Sequence, residues 1–136
     1  YTLSWSERVF PPLRNRGPSD WDQRHILNLV LGYRFNGGWT VGTRFHYNTG
    51  RPYPVYNIPP AAVDAPNYVR LPNFAQLDLR VDKRILFDKW TLDVYVELVN
   101  TTLSRQVFDV KLTAAGTRDE IAYRIVLPSI GVHAEW

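Results

Sequence analysis

Apolar and polar residues alternate one by one along segment after segment of this chain, and the alternation runs to the last residue. In Ser129-Ile130-Gly131-Val132-His133-Ala134-Glu135-Trp136, the side chains of Ile130, Val132 and Ala134 share one face of a strand. Ser129, Gly131, His133 and Glu135 share the other. A polypeptide end inside a strand, on an aromatic residue, is uncommon in a soluble domain, whose ends fray. It is expected where a final strand closes a barrel in a membrane.

Five further segments carry the same pattern. Leu27, Leu29, Leu31, Tyr33 and Phe35 alternate with polar or small residues, including Asn28, Gly32 and Arg34. After the hairpin signal Asn36-Gly37-Gly38, Trp39, Val41, Thr43, Phe45 and Tyr47 alternate with Thr40, Gly42, Arg44, His46 and Asn48. Ala75, Leu77, Leu79 and Val81 alternate with Gln76, Asp78, Arg80 and Asp82. Beyond a turn around Phe87-Asp88-Lys89, Trp90, Leu92, Val94, Val96 and Leu98 alternate with Thr91, Asp93, Tyr95 and Glu97. The first segment sets Tyr1, Leu3, Trp5 and Val9 against Thr2, Ser4, Ser6 and Arg8. A helix would scatter these apolar positions around its circumference. The chain is therefore all-β.

Composition narrows what such a sheet is for. The length suits one domain, and no run of about 18 apolar residues supplies a transmembrane helix. No signal peptide precedes the first segment, so the chain reads as part of something longer. Cysteine is absent, which removes disulfides and cysteine metal sites. A net charge of +3, from 16 basic and 13 acidic residues, is too mild to argue for nucleic acid.

Alternation alone fits two architectures. A soluble sandwich turns its apolar face to a protein core; a transmembrane barrel turns it to lipid and its polar face to a wet lumen. The connections separate them. They are short at 36–38 and 87–89, long at 10–22 and 49–73, and nine of the 10 prolines lie in the two long ones. Short turns at one end and long loops at the other mark an outer-membrane barrel. Phe35, Trp39, Phe87, Trp90 and Trp136 then share one height, as an interfacial aromatic belt does. From Trp39 to Tyr47 a strand rises roughly 27 Å at about 3.3 Å per residue. Tilted by roughly 40°, it spans about 20 Å, near the apolar band of such barrels. The lumen face would carry Arg34, Arg44, His46, Asp78, Arg80, Asp82, Asp93 and Glu97. Strand direction predicts six strands. It makes 105–112 an extension of the strand from Trp90 past a bulge or bend at Asn100-Thr101-Thr102, leaves a loop at 113–121, and ends with a strand over 122–136.

Several of these segments resemble the end of the TonB-dependent outer-membrane receptors. Ser19-Asp20-Trp21-Asp22-Gln23-Arg24-His25-Ile26-Leu27-Asn28 is similar to an inward strand of that family, and Tyr47-Asn48-Thr49-Gly50-Arg51-Pro52-Tyr53 to an outward strand breaking into a loop. The segments from Leu71 to Arg84, Val96 to Asn100 and Leu127 to Trp136 resemble its closing strands, so the likeness spans nearly the whole chain. It implies an antiparallel transmembrane β-barrel, of which this chain gives about the last six strands of about 22 around a plug. The implied function is import of a scarce ligand, a metal chelate, cobalamin, glycan or peptide, across the outer membrane of a Gram-negative bacterium. The implied partners are outer-membrane lipid and lipopolysaccharide, the remaining barrel and plug, TonB acting through a segment outside this chain, and the barrel assembly machinery. A surface lipoprotein is a further partner that the family admits. The same likeness makes Ser129, Gly131, Ala134 and Trp136 an assembly signal, with Ala134 smaller than that position usually is.

No nucleophile motif, phosphate loop, carboxylate pair or metal-ligand spacing stands out, so neither catalysis nor a cofactor nor a metal is expected. His25, His46 and His133 lack ligand spacing. Asp78, Arg80, Asp82 and Arg84 form a charge-compensated strip. Ligand contacts are expected in the long loops, at Trp21, Arg51, Tyr53 and Tyr56, where arginine and aromatic residues sit among prolines. Two other functions fit the pattern: a barrel fragment acting in assembly by strand pairing, and a soluble β-sandwich binding module.

Overall fold

The computed structural model describes residues 1–10, 15–54, 68–112 and 118–136, and these are all-β. The strands are β1 (Thr2–Leu3), β2 (Glu7–Phe10), β3 (Asn15–Pro18), β4 (His25–Arg34), β5 (Trp39–Asn48) and β6 (Pro52–Pro54). There follow β7 (Tyr68–Arg70), β8 (Phe74–Leu86), β9 (Thr91–Val99), β10 (Gln106–Leu112), β11 (Arg118–Tyr123) and β12 (Leu127–Glu135). One 6-stranded sheet runs in the order β1-β4-β5-β8-β9-β12. Its strands follow one another in chain order, as a meander does. β2–β3, β6–β7 and β10–β11 are antiparallel two-stranded ribbons, each interrupting a long connection.

By contact the chain falls into two units. The first comprises Tyr1–Leu27, Tyr47–Phe74 and Arg105–Arg124; the second comprises Asn28–His46, Ala75–Ser104 and Ile125–Trp136. All three ribbons belong to the first unit. There Pro52, Leu71 and Val110 are the buried apolar side chains among the described residues.

The second unit is built the other way round. Its buried side chains are polar, Asp78 and Asn100, while its apolar ones lie outside. Leu31 keeps 56% of its surface, Val96 45% and Val132 66%. Register explains how they come to share a face. Leu79 opposes Leu98, Val81 opposes Val96 and Ile85 opposes Leu92. On the next strand, Ile130 opposes Val96, Val132 opposes Val94 and Ala134 opposes Leu92. A soluble domain buries such a face and hydrates its charges. Both turns of this unit are short. Gly37 and Gly38 take the positive φ the hairpin demands, and the Phe87 amide donates to the Trp90 carbonyl at 2.9 Å.

Three expectations need correction. The first segment is not one strand: β1 ends at Leu3 and β2 pairs with β3, because the Asp22 carboxylate captures the Ser6 amide at 3.0 Å. The long connections 10–22 and 49–73 are not plain loops, since they open and close with ribbon strands. The break at 100–102 is the bend of the two expected alternatives, a tight turn with Asn100 at φ 60° and Leu103 at φ 53°. The bulge lies further on, between Val107 and Asp109. Finally, 122–136 is two strands, because β11 starts at Arg118 and ends at Tyr123 before β12 begins at Leu127.

Candidate functional site

Cross-strand register turns the polar residues of β8 and β9 into a ladder of ion pairs. Arg84 lies opposite Asp93, Asp82 opposite Tyr95 and Arg80 opposite Glu97. Arg84 grips Asp93 with two hydrogen bonds, of 2.7 and 2.8 Å. Arg80 bonds Asp82 on its own strand at 2.7 Å, reaches toward Glu97 at 3.8 Å and lies 4.0 Å from the Tyr95 ring centroid. Arg34, Arg80, Asp82, Arg84 and Asp93 line one open concavity of about 560 Å³. On β5, His46 Nδ1 is 2.6 Å from Asn28 Oδ1, a hydrogen bond between side chains. Exposed pairs of this kind contribute about 0–1 kcal/mol each, so the ladder balances charge more than it stabilises.

Asp78 differs from the rest because it is buried. Its carboxylate accepts hydrogen bonds from Arg44 Nε at 2.8 Å, Gln76 Nε2 at 2.7 Å and the Asn100 amide at 2.9 Å. Asn100 in turn donates its side-chain amide to the Ile125 carbonyl at 2.9 Å and the Ser104 carbonyl at 3.1 Å. Arg44 on β5, Asp78 on β8 and Asn100 after β9 thus form one polar core. Alternation identified Asp78 only as a lumen residue. Asn100 was legible only as the site of a break; its left-handed φ suits asparagine.

The terminal strand carries the expected assembly residues. Ser129 opposes Glu97, Gly131 opposes Tyr95 and Ala134 opposes Leu92. A Cβ at Gly131 would overlap the Tyr95 ring, so the glycine makes the seat in which that ring lies. Phe35, Trp39, Phe87, Trp90 and Trp136 all flank strand ends in the second unit. Phe87 and Trp90 stack in parallel with centroids 4.2 Å apart. Lys83 is the exception on the apolar face, opposite Val94. Its ammonium reaches back to the Gly37 carbonyl at 2.6 Å and lies 4.7 Å from the Trp39 ring centroid, as a lysine does when it snorkels to an interface.

In the first unit the motifs around Asp22 and Thr49 meet. Thr49 Oγ1 accepts from the amides of Arg24 and His25, both at 3.1 Å. Arg70 donates to the Asp22 carbonyl at 2.9 Å, the Gly50 carbonyl at 3.1 Å and the Asp22 carboxylate. Burial works against ionisation of Asp22, but Arg70, the Ser6 amide and Arg24 outweigh it and hold the carboxyl below its ordinary pKa. This clasp fixes the bases of two loops. The Arg51 guanidinium carbon lies 5.6 Å from the Trp21 ring centroid and 5.9 Å from that of Tyr53. Three of the four predicted loop contacts therefore come together; Tyr56 lies outside the described residues. The pairing of Asp22 with Arg70, which holds the bases of these loops, was not read from sequence, because it joins distant segments.

Among the described residues no cluster of histidine, aspartate and glutamate could hold a metal. The second unit presents a polar, ion-paired face, and the first an arginine beside two aromatic rings. In comparisons with family models, curated proteins and solved structures, nothing matches the chain.

Proposed function

We infer that the chain forms part of the barrel wall of a TonB-dependent transporter, importing a scarce ligand across a bacterial outer membrane without catalysing a reaction. The observation that carries this is the inverted second unit, with Asp78 and Asn100 buried and Leu31, Val96 and Val132 exposed. Lipid gives that apolar face the partner water denies it, and a wet lumen accepts the ion-pair ladder.

Two further features support a larger barrel. β1 and β12 stand at the two ends of the strand order, so each is paired on one side. An open edge in hydrocarbon leaves backbone donors and acceptors unmet, at several kcal/mol each; further strands and a plug would complete the structure. The aromatic residues at the short-turn end match an interfacial belt. Assembly of β12 would begin from its outer edge, with Ser129, Gly131, Ala134 and Trp136 as the signal read there.

Fractionation of cells expressing the intact protein tests this. It should remain in the outer-membrane fraction after alkaline carbonate washing and dissolve only in detergent. Recovery as a soluble periplasmic protein would overturn it and favour the sandwich.

A further inference from the structure

Among the described arginines, Arg51 and Arg80 are half-buried while the others with described side chains are exposed. Arg80 has its charge answered by Asp82 and Glu97. Arg51 does not. Its side chain has the two aromatic contacts, with Trp21 and Tyr53, and no carboxylate or carbonyl receives its N–H groups among the described residues. Ring contacts engage a guanidinium through its charge and its flat face; they leave the in-plane donor fork unused.

The surroundings have the matching chemistry. Arg51 lines a concavity of about 90 Å³ together with Gln23, Asn48, Gln106, Phe74 and Phe108. Among the described residues its lining contains no acidic side chain, and Arg51 is the one charged group. The side-chain amides of Gln23 and Gln106 add N–H donors to that lining. Whole small-molecule sites run to about 300–1,000 Å³, so this volume suits one terminal group and not an entire ligand. The Asp22–Arg70 clasp holds the base of the Arg51 loop, and the Arg51 carbonyl accepts the Leu71 amide at 3.0 Å. The fork is thus presented from a fixed backbone.

We propose that this pocket is an oxyanion site, binding a carboxylate or phosphate through the Arg51 fork while Trp21 and Tyr53 flank the group that bears it. As an anion site it stands by itself; as a contact for imported ligand it rests on the transporter function proposed above. A phosphate could come from a soluble ligand or from lipopolysaccharide, and the chemistry is the same for both.

Calorimetric titration of the intact protein in detergent micelles with inorganic phosphate tests the site. Arg51→Gln should weaken phosphate binding about tenfold or more, as loss of a charged hydrogen-bonding partner does. Arg51→Lys keeps the charge without the fork and should fall between the two; it also serves if the glutamine variant folds poorly. Arg124→Gln, at an exposed arginine that is not part of the pocket lining, should bind as the parent does. Equal binding by parent and Arg51→Gln, or equal loss in Arg124→Gln, would overturn the proposal.

Vesicles of intact and of dephosphorylated lipopolysaccharide then identify the source. Competition by the intact lipid alone assigns the site to the membrane surface, and competition by neither assigns it to a soluble ligand; both outcomes require the Arg51 pocket. Arg51-dependent binding by a protein found soluble in cells would uphold the pocket and end the transporter proposal. Outer-membrane residence with binding indifferent to Arg51 would do the reverse.

Discussion

The Tyr95 ring lies against Gly131, its partner across β9 and β12, with no room for even a methyl group on the glycine. Arg80 also packs on that ring, 4.0 Å from its centroid. One small residue on the last strand therefore sets the position of a tyrosine, and with it an arginine on β8. Gly131→Ala should destabilise the intact protein by about 1–3 kcal/mol, the usual penalty of overpacking. Tyr95→Ser in the same chain should recover most of that loss, and a double-mutant cycle on thermal melting reads the coupling. Additive losses would show that the ring does not depend on the glycine.

Asp78 and Asp82 look alike in sequence, two residues apart on one polar face, and should behave differently. Asp78→Asn strips a buried carboxylate from Arg44, Gln76 and the Asn100 amide. It should cost about 1–3 kcal/mol, because Arg44 is exposed and it is the buried Asn100 amide that loses a charged acceptor. Asp82→Asn loosens a half-exposed contact with Arg80 and should cost about 1 kcal/mol or less. Denaturant titration of both variants separates them.

The pattern of two decided most of the sheet in advance: its long strands, their two faces, the short turns and the polar residues that form the ion-pair ladder. Such features are local, since each follows from neighbouring residues and the pleat. What alternation could not supply was long-range. Nothing in Asp22 announces that Arg70 will reach it, and nothing in Asn100 announces that its amide will hold Ile125. The ribbons escaped for a related reason. β6, with Pro52 and Pro54, and β7 are three-residue strands, too short to show a period. In the candidate ligand site, residue type pointed to Trp21, Arg51 and Tyr53, but the amides of Gln23 and Gln106 join them only through folding.

The Asp22 clasp makes the first unit sensitive to acid. The folded carboxyl titrates below its ordinary value, so the unfolded chain takes up the proton first as pH falls. The stabilisation is whole above the unfolded pKa of about 3.9 and is lost as pH drops through the folded one. Asp22→Asn removes the group that titrates. The melting-temperature gap between the parent and this variant should be widest near pH 6 and shrink below about pH 4. A gap constant with pH would contradict the role of the Asp22 charge.

Lys83 and Leu79 test depth on one face of β8. Lys83 sits near a short turn, where its ammonium has the Gly37 carbonyl and the Trp39 ring. Lys83→Leu should change stability in bilayers by about 1 kcal/mol or less, while Leu79→Lys, placing the charge mid-strand, should cost about 2–4 kcal/mol. If water bathed that face, Leu79→Lys would be neutral.

The orientation of the two faces is best measured directly, because the chain has no cysteine. Single cysteines at positions 76, 77, 79, 80, 81 and 82, in the intact protein reconstituted in bilayers, would each carry a fluorophore. Contact with quencher-bearing lipid tails should alternate: strong quenching at Leu77, Leu79 and Val81, and little at Gln76, Arg80 and Asp82, which should answer to a water-soluble quencher instead. Shielding of the odd-numbered positions from lipid and water alike would mean a dry protein interior, and would contradict the membrane barrel.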